Sequence, residues 1–263
     1  MPAKCCKVNP LTRVDRVRGN CPRMRKLVLI GGGYISDLTT LAIDERVVKL
    51  TGVTSPKALF IPTASNDEEQ YYNDFENMYG RHLGCDTDVL MCIRDPLSLE
   101  TMEKKIFSSD LIYIGGGNYL RLMNTWKAFG LDNLLRKALD TGIVVAGISA
   151  GAIYWFRHGF RSAEQGGYTK DAGLDVIPAF LCPHYNQSAR AEAFQYHMRT
   201  ENEVGIALED DVALAIFGDT YQVISSQDDA FAYKMVNRSG NLDIQELENG
   251  CTEMPLHKLL SSD

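Results

Sequence analysis

Residues 143–148 (IVVAGI) carry no polar side chain and run straight into Ser149-Ala150-Gly151. A strand this apolar has no face to offer to water, so it belongs inside a sheet that is covered on both sides. Comparable runs occur at 26–30 (KLVLI), 58–61 (ALFI) and 111–114 (LIYI). Between them, residues 38–50, 67–83, 119–127 and 131–140 place apolar side chains at helical spacing. Apolar strands alternating with amphipathic helices predict an α/β fold, a three-layer α/β/α arrangement around a mostly parallel sheet. A helix is expected over 150–157, a glycine-studded loop over 158–173 and another helix over 187–199. Short strand patterns at 205–208, 213–217, 221–225 and 230–235 are expected to form hairpins that complete the sheet edge.

Composition narrows the partners. The formal net charge of −7 over 263 residues argues against nucleic acid, and no apolar run approaches the roughly 18 residues of a membrane span. The seven cysteines are odd in number and lack a C-x-x-C pair, which disfavours a disulfide framework or a zinc site and points to a reducing, cytoplasmic compartment. Residues 1–23 hold six basic side chains against the single acid Asp15. They are expected to be a disordered or non-native extension ahead of one catalytic domain over 24–263.

Gly147-Ile148-Ser149-Ala150-Gly151 fits G-x-S-x-G, with a strand pattern before it and a helix pattern after it. In such a turn the serine takes a strained backbone conformation that small neighbours permit. Its hydroxyl then stands above the sheet's carboxyl end, with the Ala150 N–H beside it as an oxyanion donor. A serine nucleophile needs a base. Among His82, His158, His184, His197 and His257, His184 is the best placed, in Pro183-His184-Tyr185-Asn186 at the end of a predicted strand. His82 and His197 fall on polar helix faces, and His158 falls at the far end of the helix leaving Ser149. The turn Gly115-Gly116-Gly117-Asn118 offers unhindered N–H groups for a second oxyanion donor. Neither that turn nor Gly31-Gly32-Gly33 has the spacing of a phosphate loop.

Taken together, Gly115-Gly116-Gly117-Asn118, Gly147-Ile148-Ser149-Ala150-Gly151-Ala152 and Pro183-His184-Tyr185 resemble the peptidase E family, the S51 serine peptidases. The likeness runs from about Met24 to the C-terminus. It implies a fold similar to class I glutamine amidotransferases, with serine replacing their elbow cysteine. It also implies Ser149 as nucleophile, His184 as base and oxyanion donors from Gly116 or Gly117 and Ala150. Acyl-enzyme chemistry of this kind is expected to need no metal or organic cofactor. The implied substrate is a short acidic peptide of the Asp-X kind. The family pattern places an acid between elbow and histidine, near Ser162, where this chain has a hydroxyl. Glu164 is the nearest substitute, with Asp171 and Asp175 behind it. An acidic substrate calls for a cationic reader. Arg190, six residues after His184, is the first choice, ahead of Arg161 and Arg121, with Asn118 as a further substrate contact. An esterase or amidase of another small acyl compound, or a member that binds an acidic ligand without turnover, are the alternatives.

Overall fold

The computed structural model describes residues 24–250 and 252–262, so the expected extension over 1–23 lies outside the described residues. In chain order the elements are β1 (Lys26–Ile30), α1 (Leu41–Thr51), β2 (Lys57–Ile61), α2 (Glu69–Phe75), β3 (Asp86–Val89), α3 (Leu99–Phe107), β4 (Leu111–Ile114), α4 (Tyr119–Phe129), α5 (Leu131–Asp140), β5 (Val144–Ile148) and α6 (Ala150–Ile153). There follow β6 (Phe156–Ser162), β7 (Tyr168–Ala172), β8 (Ile177–Cys182), α7 (Ser188–Met198), β9 (Gly205–Leu208), β10 (Val212–Phe217), β11 (Thr220–Ser225), β12 (Ala232–Arg238), β13 (Asn241–Leu247), β14 (Met254–Pro255) and α8 (Leu256–Leu260). Among the described residues no helix is long and apolar enough to cross a membrane.

The larger sheet runs β14-β11-β10-β1-β5-β4-β2-β3, and its section from β1 to β3 is parallel. Alternate residues of each strand feed opposite layers. Leu27, Leu29, Ile112, Ile114 and Val145 pack with the apolar sides of α3, α4 and α5. Val28, Ile30, Phe60, Tyr113 and Ala146 pack with α1 and α2. This is the α/β layering that the two-sided apolar strands require. Ile30 pairs with Ile148, and Ile114 with Gly147, so the chain leaves β1, β5 and β4 side by side at the carboxyl ends of the parallel strands.

The second half of the chain departs from expectation. The helix after Ser149 is confined to Ala150–Ile153, and β6 begins at Phe156. Tyr154, Trp155 and Phe156 are fully buried aromatics, residues that favour extended chain. The stretch expected to be a loop is the β6–β7 hairpin. Gly166 and Gly167, both at positive φ, make its turn, while Gly159 and Gly173 lie where a side chain would overlap Ile153 and the Phe156 carbonyl. The tail strands do not all complete one edge: β10 and β11 extend the larger sheet, whereas β9 and β12 join a second sheet in the order β13-β12-β9-β8-β6-β7. There β8 and β9 are parallel with Cys182 opposite Ala207, so the segments after these strands emerge side by side.

Beneath the parallel section lies an acid in an apolar setting. Asp44, on α1, is fully buried and accepts hydrogen bonds from the Thr40 hydroxyl (2.6 Å) and the Tyr79 hydroxyl (2.5 Å). Tyr79 stacks on Phe75, and Phe75 on Phe60. Desolvation outweighs the two hydrogen bonds and raises the Asp44 pKa to about 7. The folded state therefore holds this proton more tightly than the unfolded chain does. Its contribution to stability is complete below the ordinary carboxylate pKa and is lost as pH rises through about 7. Asp44→Asn removes the titration while keeping the shape. In urea unfolding, the variant is expected to gain on the wild type by a few kcal/mol between about pH 4 and about pH 8. Parallel stability curves for the two proteins would contradict the assignment.

Candidate active site

Ser149 follows β5 directly and takes φ 52°, ψ −110°, a conformation that costs an L-residue about 1–3 kcal/mol. The neighbouring glycines make it possible. A Cβ at Gly147 would overlap the Gly151 carbonyl, and one at Gly151 would overlap the Ile114 carbonyl. The Ser149 N–H donates to the Ile30 carbonyl (2.9 Å), and the Ser149 carbonyl accepts from the N–H groups of Ala152 (3.0 Å) and Ile153 (2.9 Å). Held at both ends, the residue has its side chain fixed above the strand ends. Ala150 opens α6, so its N–H has no carbonyl one turn earlier to bond.

The Ser149 hydroxyl lies 2.8 Å from His184 Nε2. On the other side of the ring, His184 Nδ1 lies 2.5 Å from Asp210 Oδ1. A carboxylate can only accept, so Asp210 keeps the imidazole proton on Nδ1 and leaves the Nε2 lone pair for the serine hydroxyl. Burial alone would raise the Asp210 pKa. The hydrogen bond and charge of His184, helped by Asn186 and at longer range by Arg190, outweigh it and hold the carboxyl below its ordinary range. Asn186 clamps this acid twice: its Nδ2 donates to Asp210 Oδ2 (3.1 Å), and its Oδ1 accepts from the Asp210 N–H (3.2 Å). Gly32 packs so closely on the pair that a Cβ there would overlap both Asp210 Oδ1 and His184 Nδ1.

Asp210 is the residue that sequence reasoning missed, and Glu164 is corrected by it. Glu164 stands beyond β6 at the hairpin turn and forms no hydrogen bond with His184. The acid that does follows the histidine in sequence, because β8 and β9 are neighbours and their ends deliver His184 and Asp210 to the same place. Asp171 is paired with Arg161 (2.6 Å) and Asp175 with Arg157 (2.9 Å). The available signal was the acidic run Glu209-Asp210-Asp211 immediately after an apolar strand pattern.

A cleft of about 470 Å³ opens beside Ser149 and His184. Gly117, Asn118, Arg161, Glu164 and Arg190 line it, so Glu164 belongs to the cleft wall. The Asn118 side chain also caps α4 by accepting from the Arg121 N–H (2.9 Å). Arg190 is buried on α7. Its guanidinium donates to Ser162 Oγ (3.1 Å), Gln187 Oε1 (3.3 Å) and the Phe160 carbonyl (3.4 Å), and it stacks over Tyr168. Arg121 instead donates to the Ala64 carbonyl (3.0 Å). Of the two glycines expected to supply an oxyanion donor, Gly116 has its N–H on the Tyr71 hydroxyl (3.2 Å), while the Gly117 N–H meets no acceptor among the described residues. His158, on β6, contacts Glu203, and His197 packs edge-on against Phe160. No three His, Cys, Asp or Glu side chains among the described residues gather as a metal cluster.

Residues 27–224 match the model of peptidase family S51. The chain belongs to that family. It is 34% identical over 219 residues to the uncharacterized peptidase YgaJ of Bacillus subtilis (strain 168), a match covering 81% of this chain and 93% of the relative. An uncharacterized peptidase of Pasteurella multocida (strain Pm70) is 29% identical over 182 residues, covering 65% of this chain and 83% of the relative. The crystal structure of a peptidase from an acI-B1 Actinobacterium superposes with a TM-score of 0.68 at 21% identity, covering 89% of this chain and 98% of that one. This S51 member is therefore a hydrolase of the peptidase class, and serine chemistry follows from the family.

The geometry separates the two acids experimentally. Asp210→Asn is expected to lower turnover by about four orders of magnitude, as loss of the orienting acid does in a serine triad. Glu164→Gln is expected to leave kcat within a few-fold of wild type. Steady-state kinetics on one peptide substrate checks both, and the reverse order would restore Glu164.

Proposed function

We propose that the protein hydrolyses short acidic peptides, Asp-X dipeptides being the simplest case, through an acyl-enzyme on Ser149. The observation that carries this reading is the unbroken relay from Ser149 Oγ through His184 to Asp210. His184 Nε2 takes the hydroxyl proton as Ser149 attacks the scissile carbonyl carbon. The imidazolium that forms is stabilised by Asp210, whose lowered pKa keeps it ionised. Negative charge on the carbonyl oxygen is met by the N–H groups of Gly117 and Ala150. The protonated imidazole then returns its proton to the leaving amine, and water enters by the reverse sequence to release the acid and free Ser149.

The acidic preference rests on Arg190. A guanidinium taken from water needs a counter-charge, yet every hydrogen-bonding partner of Arg190 among the described residues is neutral. Arg161, the other cation on the cleft wall, is neutralised by Asp171. A substrate carboxylate entering the cleft would complete the pairing that Arg190 lacks. The binding-only alternative drew on a missing third group, and Asp210 takes away that ground.

Two experiments test the proposal. A fluorophosphonate should label the wild type at Ser149, while Ser149→Ala should lose both labelling and hydrolysis. Retention of even a tenth of wild-type turnover would move the nucleophile elsewhere, since loss of a triad serine costs on the order of a millionfold. Separately, kcat/KM for Asp-Leu should exceed that for Asn-Leu by about tenfold or more, the worth of a hydrogen bond to a charged group. Arg190→Met should lose most of that ratio. Equal cleavage of the two dipeptides by the wild type would refute the acidic preference.

A further inference from the structure

The turn after β4 has four amides, and three are occupied. Gly115 N–H donates to the Ile61 carbonyl (3.1 Å), Asn118 N–H to the Ala64 carbonyl (2.8 Å), and Gly116 N–H to the phenolic oxygen of Tyr71 (3.2 Å). The first two acceptors are main-chain atoms of the neighbouring segment, Ile61 at the end of β2 and Ala64 in the turn that follows it. The third is a side chain, and it reaches in from α2. Gly117 is left over, at φ 135°, a conformation natural only to glycine, with a side-chain position that the Ala64 carbonyl already fills.

Tyr71 is built into this place. Its ring lies edge-on to Phe60 at 5.0 Å between centroids. A Cβ at Gly115 would come within 2.9 Å of the ring, so the glycine also makes room for it. A Cβ at Gly116 would lie 3.4 Å from the Ser149 Cβ, so the peptide that Tyr71 grips is next to the nucleophile. Burial is the largest influence on the phenol and pushes its pKa up to about 12, so the group stays neutral across the working range. Its oxygen accepts from Gly116 whatever the pH. Tyr71 and Gly116 also line a second cleft together with Tyr34 and Glu68.

We propose that Tyr71 is a positioning residue for the oxyanion site: by holding the Gly116 N–H it fixes the turn so that the Gly117 N–H, with that of Ala150, faces the tetrahedral oxygen. This goes beyond the role of the turn itself, because it assigns the selection between two adjacent glycine amides to a side chain from another element. It rests on the reading of Ser149 as nucleophile. Once the phenolic oxygen is removed, the peptide before Gly116 loses its tether, and through the soft dihedrals at Gly116 the next peptide, which carries the Gly117 N–H, is no longer fixed between that tether and the Asn118 N–H bond to Ala64. The cost falls where charge develops, in the transition state, and ground-state binding is untouched.

Tyr71→Phe keeps the ring and deletes the acceptor. It is expected to lower kcat by about tenfold with KM unchanged, a smaller loss than removal of an oxyanion donor itself, which costs about a hundredfold or more. A peptide aldehyde, which forms a tetrahedral adduct with the serine, should lose affinity in step with kcat, while the Ki of the released acidic product stays constant. A fluorotyrosine at position 71 keeps the hydroxyl and weakens it as an acceptor, which guards against a folding defect. It should give a smaller fall in kcat of the same kind. Wild-type kcat in Tyr71→Phe, a rise in KM alone, unchanged aldehyde affinity, or a rate increase on fluorination would each overturn the assignment. Failure of the nucleophile reading is seen separately, as wild-type turnover in Ser149→Ala, and this assignment then falls with it.

Discussion

Three consecutive carbonyls at the end of β1 hold the candidate site together. The Ile30 carbonyl accepts from the Ser149 N–H, the Gly31 carbonyl from the His184 N–H, and the Gly32 carbonyl from the Asp211 N–H. Each donor is at positive φ, at 52°, 54° and 61° respectively. Left-handed backbone is costly for residues other than glycine and persists only where the surroundings over-determine it. Here one extended stretch supplies that determination three times in a row. It also joins the sheets, since Ser149 leaves the larger one while His184 and Asp211 leave the ends of two strands of the smaller. The three glycines that follow β1 are the consequence. Side chains at Gly31 and Gly32 would overlap the Leu208–Glu209 main chain and the His184–Asp210 pair. The glycine run lets three foreign segments come against one strand end.

Charge is arranged around that junction as deliberately as backbone. The chain as a whole carries −7, yet the cleft beside Ser149 brings together two arginines and a single carboxylate on its wall, Glu164. Arg161 is answered by Asp171 across the β6–β7 hairpin. Asp210 is answered by His184 and Asn186. Of the two cleft arginines, Arg190 is the one left with neutral partners and an aromatic face, which orient the guanidinium without cancelling its charge. A cation so placed helps keep Asp210 ionised, and the acidic preference proposed above draws on the same charge.

What could be read from the sequence was whatever depended on neighbours in the chain. The parallel strands, the helices between them apart from α3, and the strained turn at Ser149 follow from local periodicity and from Gly147 and Gly151, and Pro183-His184 stood out as a strand-end loop; α3 is too short, at nine residues, to have stood out by its period. Asp210 was hidden because its meaning depends on β8 and β9 being adjacent, a pairing between segments separated by α7. Spacing within a motif carries no trace of such a pairing. The hairpin after Ser149 was hidden for the opposite reason. Its glycines resemble loop punctuation, but Gly159 and Gly173 are there for close packing and only Gly166 and Gly167 form a turn. Glycine content alone cannot separate those uses.

The position of the acid also bears on how robust the relay is. An acid on the β6–β7 hairpin would ride on an edge element, joined to the rest of its sheet through β6. Asp210 instead sits between two fixed points: Leu208, whose carbonyl accepts the Tyr185 N–H, and Asp211, whose N–H is held by Gly32 and whose carboxylate accepts from Thr39 (2.5 Å). Asn186, two residues after the base, ties the acid's main chain and side chain to the histidine's own loop. Base and acid therefore move together if they move at all. A hydrogen bond of 2.5 Å between them tolerates little relative displacement, and a loop shared by both ends of the bond is the simplest way to keep it. That coupling leaves the β6–β7 hairpin to form the cleft wall, where Arg161 and Glu164 stand apart from the Ser149–His184–Asp210 hydrogen bonds.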